Sequence, residues 1–455
     1  MNQEILNKYS IPVPRYTSYP PANFFNESFT ADSYREAVIA SNDQQPQHIS
    51  IYIHIPFCFQ MCNYCGCNAI LMKNKKEVNE YIDAIKKEMQ LVLPLLSKTR
   101  KISQIHYGGG TPTSQPIEVL RELNEMVLSN FECIEDPEIA IECHPGYMDE
   151  AYWRTLPEIG FNRVSIGVQD FDENVLKTSH RKKARLPIED IMKWLHEKKI
   201  SVNMDFIYGL PLQTPESFSE SIEKAISIHP DRVVTFSYAH VPWVNPLQKK
   251  LEEAGLPTPQ SKNRMFDLAA HKLNEAGYQS IGLDHFVLPD DELYIAKQEK
   301  TLHRNFQGYC TRRTTGQVYA FGVTGISQLA NSYSQNTKDV ETYIKQVNNG
   351  QLPILKGYAL NKEEQITRQV ISTLMCNYEI KWNDIATTMN VSREEIEHAI
   401  NYNADILSDF AKDRIIEFDN NQIRILPDAT PLVRNVAASL DKLMLNTEKK
   451  FSKSV

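Results

Sequence analysis

Residues 49 to 55, ISIYIHI, alternate isoleucine with serine, tyrosine and histidine, which puts Ile49, Ile51, Ile53 and Ile55 on one face and Ser50, Tyr52 and His54 on the other. Period-2 sidedness of this kind predicts a strand, and Pro56 ends it. The pattern then turns helical: Val78, Ile82, Ile85, Met89 and Val92 recur on one helix face as far as Pro94. The two periods keep exchanging along the chain. Strands are expected over 102–107, 138–143, 163–168, 201–209 and 232–239, and helices near 117–129, 149–158, 187–198 and 217–228. Six strand-helix units counted from Ile49 predict an α/β fold with a parallel sheet and helices outside it. Six strands are fewer than the eight of a closed barrel, so the expectation is an open three-quarter (β/α)6 barrel.

Two flanking regions differ. Residues 1–47 carry little periodic pattern and include PRYTSYPP, from Pro14 to Pro21, which reads as an extended N-terminal arm lying on another surface. The α/β pattern is taken to occupy 48–355, and 356–455 to form a mainly helical domain. Within the latter, DIATTMNVSREEIEHAI resembles a helix-turn-helix and RIIEFDNNQIRIL a small β wing. Residues 361–455 carry 12 basic and 15 acidic side chains, however, so a structural cap is expected there rather than a DNA reader.

Composition narrows the class. The chain has 455 residues, 42% of them hydrophobic and 23% charged, with no apolar run long enough to span a bilayer. Its start, MNQEILNKYS, lacks the basic and apolar segments of a signal peptide, so a cytoplasmic location is expected. A net charge of -8 argues against general nucleic-acid binding, and an acidic substrate would have to be met by locally placed arginine or lysine. Eight cysteines, four of them in one loop, do not make a disulfide framework.

The chemistry starts in that loop. Cys58, Cys62 and Cys65 form CxxxCxxC, with Cys67 immediately after. Three thiolates so close can converge on an iron-sulfur cluster, and three ligands to a four-iron cluster leave one iron open to a non-protein ligand. A zinc site would ordinarily call for four ligands in paired spacings. Gly108, Gly109 and Gly110 follow the second expected strand and let backbone approach a ligand closely, while Thr111 adds a hydroxyl. Glu142, Gln169 and Ala239 are expected near strand ends and Asp205 within a strand. Parallel sheets carry their chemistry at the carboxyl ends of their strands, so these elements aim at one site.

The CxxxCxxC spacing, with Tyr64 before the third cysteine, looks like the radical S-adenosylmethionine (SAM) superfamily. The wording YIHIPFC and CNYCGCN resembles the oxygen-independent coproporphyrinogen III oxidases, and the resemblance continues through PRYTSYP, NMDFIYGLP, GLDHF, DDEL, HRNFQGY and PLVRN. It implies a 4Fe-4S cluster on Cys58, Cys62 and Cys65 and two SAM molecules. Tyr52, Gly109, Glu142 and Ile326 would contact the SAM on the cluster. Tyr64, Gly110, Thr111, Gln169, Arg181, Asp205 and Ala239 match positions that hold the second SAM. Cys67 would stay unligated near the second cofactor, and Cys67 and Tyr52 are the catalytic candidates.

The implied reaction is oxidative decarboxylation of two propionates of coproporphyrinogen III to vinyl groups, giving protoporphyrinogen IX in haem biosynthesis. Arg15, Arg304 and Arg434 are candidate anchors for the substrate carboxylates, with surface or structural ion pairs as the alternative for each. A monomer is expected; the electron donor and acceptor are not identifiable from sequence. Two features depart from the family wording: Cys143-His144 before Pro145, and the segment 311–318. Cys133, Cys143, Cys310 and Cys376 are expected to be buried and apolar. Related haem chaperones, which bind without turnover, generally lack the fourth cysteine and the PRYTSYP arm, both present here.

Overall fold

The computed structural model describes residues 3–243, 245–311 and 314–451. Arg312 and Arg313, in the divergent segment, lie outside them. The N-terminal region is more structured than its weak periodicity suggests, with helices α1 (Gln3–Tyr9) and α2 (Ala31–Ala40). Thr30 caps α2, and only Tyr34 and Val38 of that helix are buried, which is too sparse a stripe to stand out in sequence.

The central sheet contains β1 (Ile49–Ile55), β2 (Ile102–Gly109), β3 (Cys133–Cys143), β4 (Arg163–Gln169), β5 (Ser201–Tyr208) and β6 (Arg232–Ser237). These six pair parallel in chain order. The sheet is wider than the six expected strands. Beyond β6 lie β7 (Gln279–Ile281) and β8 (His285–Val287), both antiparallel additions; beyond β1 lie β9 (Gln317–Phe321), parallel to β1, then antiparallel β10 (Ile326–Gln328), β11 (Ser332–Asn336) and β12 (Ile354–Ala359). The order is β12-β11-β10-β9-β1-β2-β3-β4-β5-β6-β8-β7, so the sheet stays open, with its edges at β12 and β7.

Helices α3 (Lys75–Val92), α4 (Ile117–Leu128), α5 (Glu150–Thr155), α6 (Glu173–Thr178), α7 (Ile188–Glu197), α8 (Pro215–Ile228) and α9 (Pro259–Glu275) accompany the parallel strands. Asn74 caps α3, and Thr214 with Ser217 forms a capping box at α8, where Pro215 fits the first turn. The helix expected near 149–158 is interrupted: α5 stops at Thr155 and a 3₁₀ turn follows from Pro157, which cannot donate to the preceding turn. The isoleucines of β1 lie in the main core, 0 to 1% exposed. Its polar side is covered too: Ser50 is buried beside Ser103 and the Gly316 N–H, and His54 beside Tyr52 and the Asn68 carbonyl.

At the amino ends of the strands sits a buried ion network. Arg163 Nε donates to Glu138 at 2.7 Å, Arg163 Nη2 to Glu292 at 3.0 Å and Arg232 Nε to Asp291 at 2.6 Å, so the DDEL stretch supplies two of the acids. Burial works against ionisation of Glu138, yet Arg163 and Arg232 hold its carboxyl well below the ordinary range. Glu138→Ala leaves the buried Arg163 Nε and Gln104 Nε2 without their acceptor, and is expected to cost about 3 kcal/mol, read as a lower denaturation midpoint at unchanged slope.

A second buried carboxylate fastens the turn after β9. Glu88 of α3 accepts hydrogen bonds from Gly322 N at 2.9 Å, Asn336 Nδ2 at 2.7 Å and Tyr343 Oη at 2.5 Å. Burial nevertheless pushes it up to about 7 from an ordinary value near 4.5. The folded protein therefore binds a proton more readily than the unfolded chain. That contribution is complete below pH ~4.5 and is lost as pH rises to about 7, a change of roughly 3 kcal/mol. Denaturant titrations from pH 4.5 to 7 should show this decline, and Glu88→Gln should flatten it.

A separate core joins the arm to the C-terminal region: Val13, Tyr16 and Tyr19 pack with Ile366, Leu374, Trp382, Leu407 and Val436. The wing is present, with strands Ile416–Phe418 and Gln422–Ile425, and a third strand, Glu379–Lys381, completes it. Tyr16 and Tyr19 both donate to Asp441, at 2.9 and 3.2 Å. Arg434, a candidate substrate anchor, is 6% exposed and donates to the carbonyls of Pro14 at 3.0 Å and Val13 at 2.5 Å. It clamps the arm, a structural role of the kind expected as the alternative to substrate anchoring.

Candidate active site

Pro56 releases the chain from β1, and Phe57–Cys58 pairs with Ile70–Leu71 to tie the cysteine loop back on itself. Cys58, Cys62, Cys65 and Cys67 are all free thiols. Thr111 Oγ1 lies 3.2 Å from Cys58 Sγ, and Arg181 Nη1 donates to Cys62 Sγ at 3.7 Å. Hydrogen-bond donors aimed at sulfur suit thiolates that carry an anionic cluster. The glycine run is packed against this loop. A Cβ on Gly110 would stand 2.2 Å from the Pro56 carbonyl oxygen and 3.0 Å from Cys58 Sγ, and one on Gly108 would stand 2.7 Å from Glu142 Oε1. The donor set and the missing side chains fit a cluster on Cys58, Cys62 and Cys65. The second strand runs on through Gly109 rather than stopping before the glycines, because Gly109 has φ +123° and its neighbours have no side chain to crowd the ladder.

Next to the cysteines, β1 and β2 build a polar wall. His54 Nε2 lies 3.0 Å from the Asn68 carbonyl oxygen, which can only accept, so the proton sits on Nε2. His54 Nδ1 is then the acceptor for Tyr52 Oη, 3.0 Å away. Burial lowers the His54 pKa and keeps the ring neutral, consistent with that tautomer. Glu142 accepts from His106 Nε2 and from Gly109 N, both at 3.3 Å, with 45% of its side chain still exposed to a ligand. Tyr52 and His106 stack at 6.0 Å, as their paired register across β1 and β2 requires.

Farther along the sheet, Arg181 ties β4 to the cysteine loop: Nη2 donates to the Gly167 carbonyl while Nη1 reaches Cys62. Gly167 makes room for this, since a Cβ there would meet Arg181 Nη2 and Gln169 Nε2, each at 2.8 Å. Gln169 ends β4 with φ 71°, and its Oε1 is buried without a hydrogen-bond partner. An orphaned acceptor at a strand end is a place for a ligand donor. Asp205 accepts from Ser165 Oγ at 2.7 Å and Asn203 Nδ2 at 2.8 Å, and burial raises its pKa. Gln248 Nε2 donates to Tyr64 O at 3.3 Å and Ala239 O at 3.2 Å, so it brings those two positions together. Ala239 itself lies two residues past β6, which ends at Ser237, and is exposed; the chain leaves the sheet where Tyr238 N turns to the Tyr208 carbonyl. Ile326 opens β10 and packs near Phe25, Tyr333 and Phe306.

Several contributors were not singled out from sequence: His106, Ser165, Gly167 and Asn203. A signal existed, since they occupy the same alternating face as Gly108, Gln169 and Asp205, and the register sets Glu142 beside Ser165 and Gly167 beside Asp205. His144 is buried, with Nδ1 accepting from Gly146 N at 3.0 Å and its ring 4.8 Å from Tyr147, which contacts Phe59 of the cysteine loop. Burial, and then the charge of Arg181, lower its pKa and keep the ring neutral, and through Tyr147 it packs behind the loop. Cys143, Cys310 and Cys376 are buried as expected, whereas Cys133 is only half-buried because it starts β3 at the sheet's rim.

The family model of the radical SAM superfamily matches residues 52–225, the span holding every cysteine of the loop, the second half of β1 and all of β2 to β5. Relatives match over nearly the whole length. An oxygen-independent coproporphyrinogen III oxidase of Synechocystis is 36% identical over 99% of this chain and 97% of its own. One of Escherichia coli is 37% identical over 96% and 94%. This chain belongs to the oxygen-independent coproporphyrinogen III oxidase family. A solved structure of the coproporphyrinogen III oxidase of Escherichia coli, described as a radical SAM enzyme, agrees: TM-score 0.87 and 35% identity over 94% of this chain and 97% of that one. Membership in this oxidase family, and so in the radical SAM superfamily, implies a 4Fe-4S cluster and SAM, which the cysteine loop and the glycine run described above would accommodate.

Proposed function

We propose that this protein converts coproporphyrinogen III to protoporphyrinogen IX by SAM-dependent oxidative decarboxylation of two propionates, a step of haem biosynthesis that needs no oxygen. The observation carrying this reading is the full-length similarity to oxidases of that name, joined to a lumen in which the cysteine loop, the glycine run and the strand-end polar groups converge. It favours turnover over the haem-chaperone alternative. When bound, the cluster and SAM supply the reducing electron and the hydrogen-abstracting radical. Each reacting propionate loses a hydrogen atom, carbon dioxide and one electron to become vinyl.

In this reading Cys58, Cys62 and Cys65 hold the cluster and Cys67 stays unligated. Tyr52, Gly109, Glu142 and Ile326 surround the first SAM, with Glu142 offering a carboxylate to its ammonium and the His54 bond fixing Tyr52. Tyr64, Gly110, Thr111, Gln169, Arg181, Asp205 and Ala239 frame a second SAM, where the orphaned Gln169 oxygen and the Asp205 carboxyl supply acceptors. The catalytic unit is assigned to 48–355, with the arm (1–47) and the helical region (356–455) covering it. No helix among the described residues is long and apolar enough to cross a membrane; a cytoplasmic monomer served by a separate electron donor and acceptor is the arrangement proposed.

The test is anaerobic turnover by protein reconstituted with iron and sulfide, given SAM, a reductant and coproporphyrinogen III. Protoporphyrinogen, or the three-carboxylate intermediate, is the expected product. SAM cleaved to 5'-deoxyadenosine with the substrate returned unchanged would keep the radical centre and overturn the substrate.

A further inference from the structure

The mouth of the lumen beyond β5 and β6 is basic in a chain whose net charge is -8. Lys262 of α9 lies across the end of β5. Its ammonium donates to the Tyr238 carbonyl at 2.5 Å and stands 5.8 Å from the centre of the Tyr208 ring. Gly209 permits this, since a Cβ there would meet the Lys262 side chain at 2.9 Å. The stem is half-buried, and burial together with the charge of Arg15 lowers the lysine to about 8.

Arg15 and Arg304 complete the group. Arg304 Nη1 donates to the Arg15 carbonyl at 2.9 Å, and its guanidinium lies 5.2 Å from the Tyr309 ring centre. Arg304 Nε is buried with no hydrogen-bond partner. Tyr309 in turn packs on Gly282, where a Cβ would collide with the ring, and lies edge-on to His285 at 5.2 Å. The GLDHF and HRNFQGY stretches are thus one assembly. The nearby acid, Asp284, is held by His285 Nδ1 at 2.7 Å and also feels the charges of Arg304 and Arg15, so a single carboxylate stands against three cations. Arg434 also faces the group, but its guanidinium serves the arm. The cluster loop follows β1, whereas Lys262 stands at the carboxyl ends of β5 and β6.

We propose that Arg15, Lys262 and Arg304 form a carboxylate-binding subsite that takes the propionates the substrate keeps. The inference rests on the substrate reading above. A carboxylate clamped by cations is stabilised as an anion, while a departing one must become neutral carbon dioxide, so such a clamp opposes loss. Its chemistry suits the two propionates that survive.

Binding of two stable porphyrins tests this by fluorescence quenching: coproporphyrin III, with four propionates, and mesoporphyrin IX, with only the two retained ones. Lys262→Met is expected to weaken both about tenfold and Lys262→Arg to restore them, and the exposed Arg15→Leu should weaken both without disturbing the fold. Variants that bind both as wild type does would overturn the subsite, as would weakening confined to coproporphyrin, which would assign the cations to the departing propionates. Wild-type protein that turns over coproporphyrinogen while the variants bind normally sinks the subsite alone. Wild-type protein that neither binds these porphyrins nor turns over coproporphyrinogen removes the substrate reading and the subsite together.

Discussion

Gly110→Ala is expected to abolish stable cluster loading and with it turnover. The added methyl would stand 2.2 Å from the Pro56 carbonyl oxygen, 2.6 Å from its carbon and 3.0 Å from Cys58 Sγ. Two of these neighbours are backbone, so no side-chain rotation relieves the overlap, and the loop carrying Cys58 has to move. Overpacking of this kind costs about 1–3 kcal/mol in stability. The functional loss is larger, because a cluster needs its thiolates placed to a few tenths of an ångström. Iron and sulfide content after anaerobic reconstitution measures it. Gly66→Ala in the same loop is the control: nothing lies within 4 Å of that position, and normal loading is expected. Equal loading by both variants would show that the contact at Gly110 is not limiting.

Arg181→Leu should lower turnover by at least about a hundredfold while the protein still folds. The guanidinium makes two connections, to the Gly167 carbonyl and to Cys62 Sγ, which hold the end of β4 against the cysteine loop. Hydrogen bonds to charged groups are worth about 1.5–3 kcal/mol each, and losing two misplaces both the loop and Gln169. Arg181→Lys keeps the charge but not the fork, so it should recover little. Product formation, SAM affinity and iron content together separate the outcomes. A loss of iron alone would mean that Arg181 acts only on the loop, and a weaker SAM affinity at full iron content would place it at the cofactor.

Much of the architecture was legible because its signals are local. Alternation along Ile49–Ile55 and the helical stripes at Val78–Val92 depend on the period of one element, and the three cysteines sit within eight residues of each other. Less local features do not show in the pattern. Helix α2 buries only two side chains, β9 to β12 are short strands in a stretch without clear periodicity, and β6 ends at Ser237, two residues before its expected end. The arm showed its prolines but not its target, since Val13, Tyr16 and Tyr19 bury against residues beyond 360.

By itself, the sequence determined the α/β class, the cysteine loop, the glycine run and the strand ends on which the site is built. Tertiary structure alone decided where each arginine stands. Arg15, Arg304 and Arg434 look alike in sequence; folding buries Arg434 against the arm's carbonyls, leaves Arg304 Nε without a partner and sets Lys262, on a helix with no motif of its own, beside them. The reason is physical. A side chain's surroundings are set by what desolvates and neutralises it, and the contacts of Arg304 with Arg15 and of Arg434 with Pro14 join segments hundreds of residues apart.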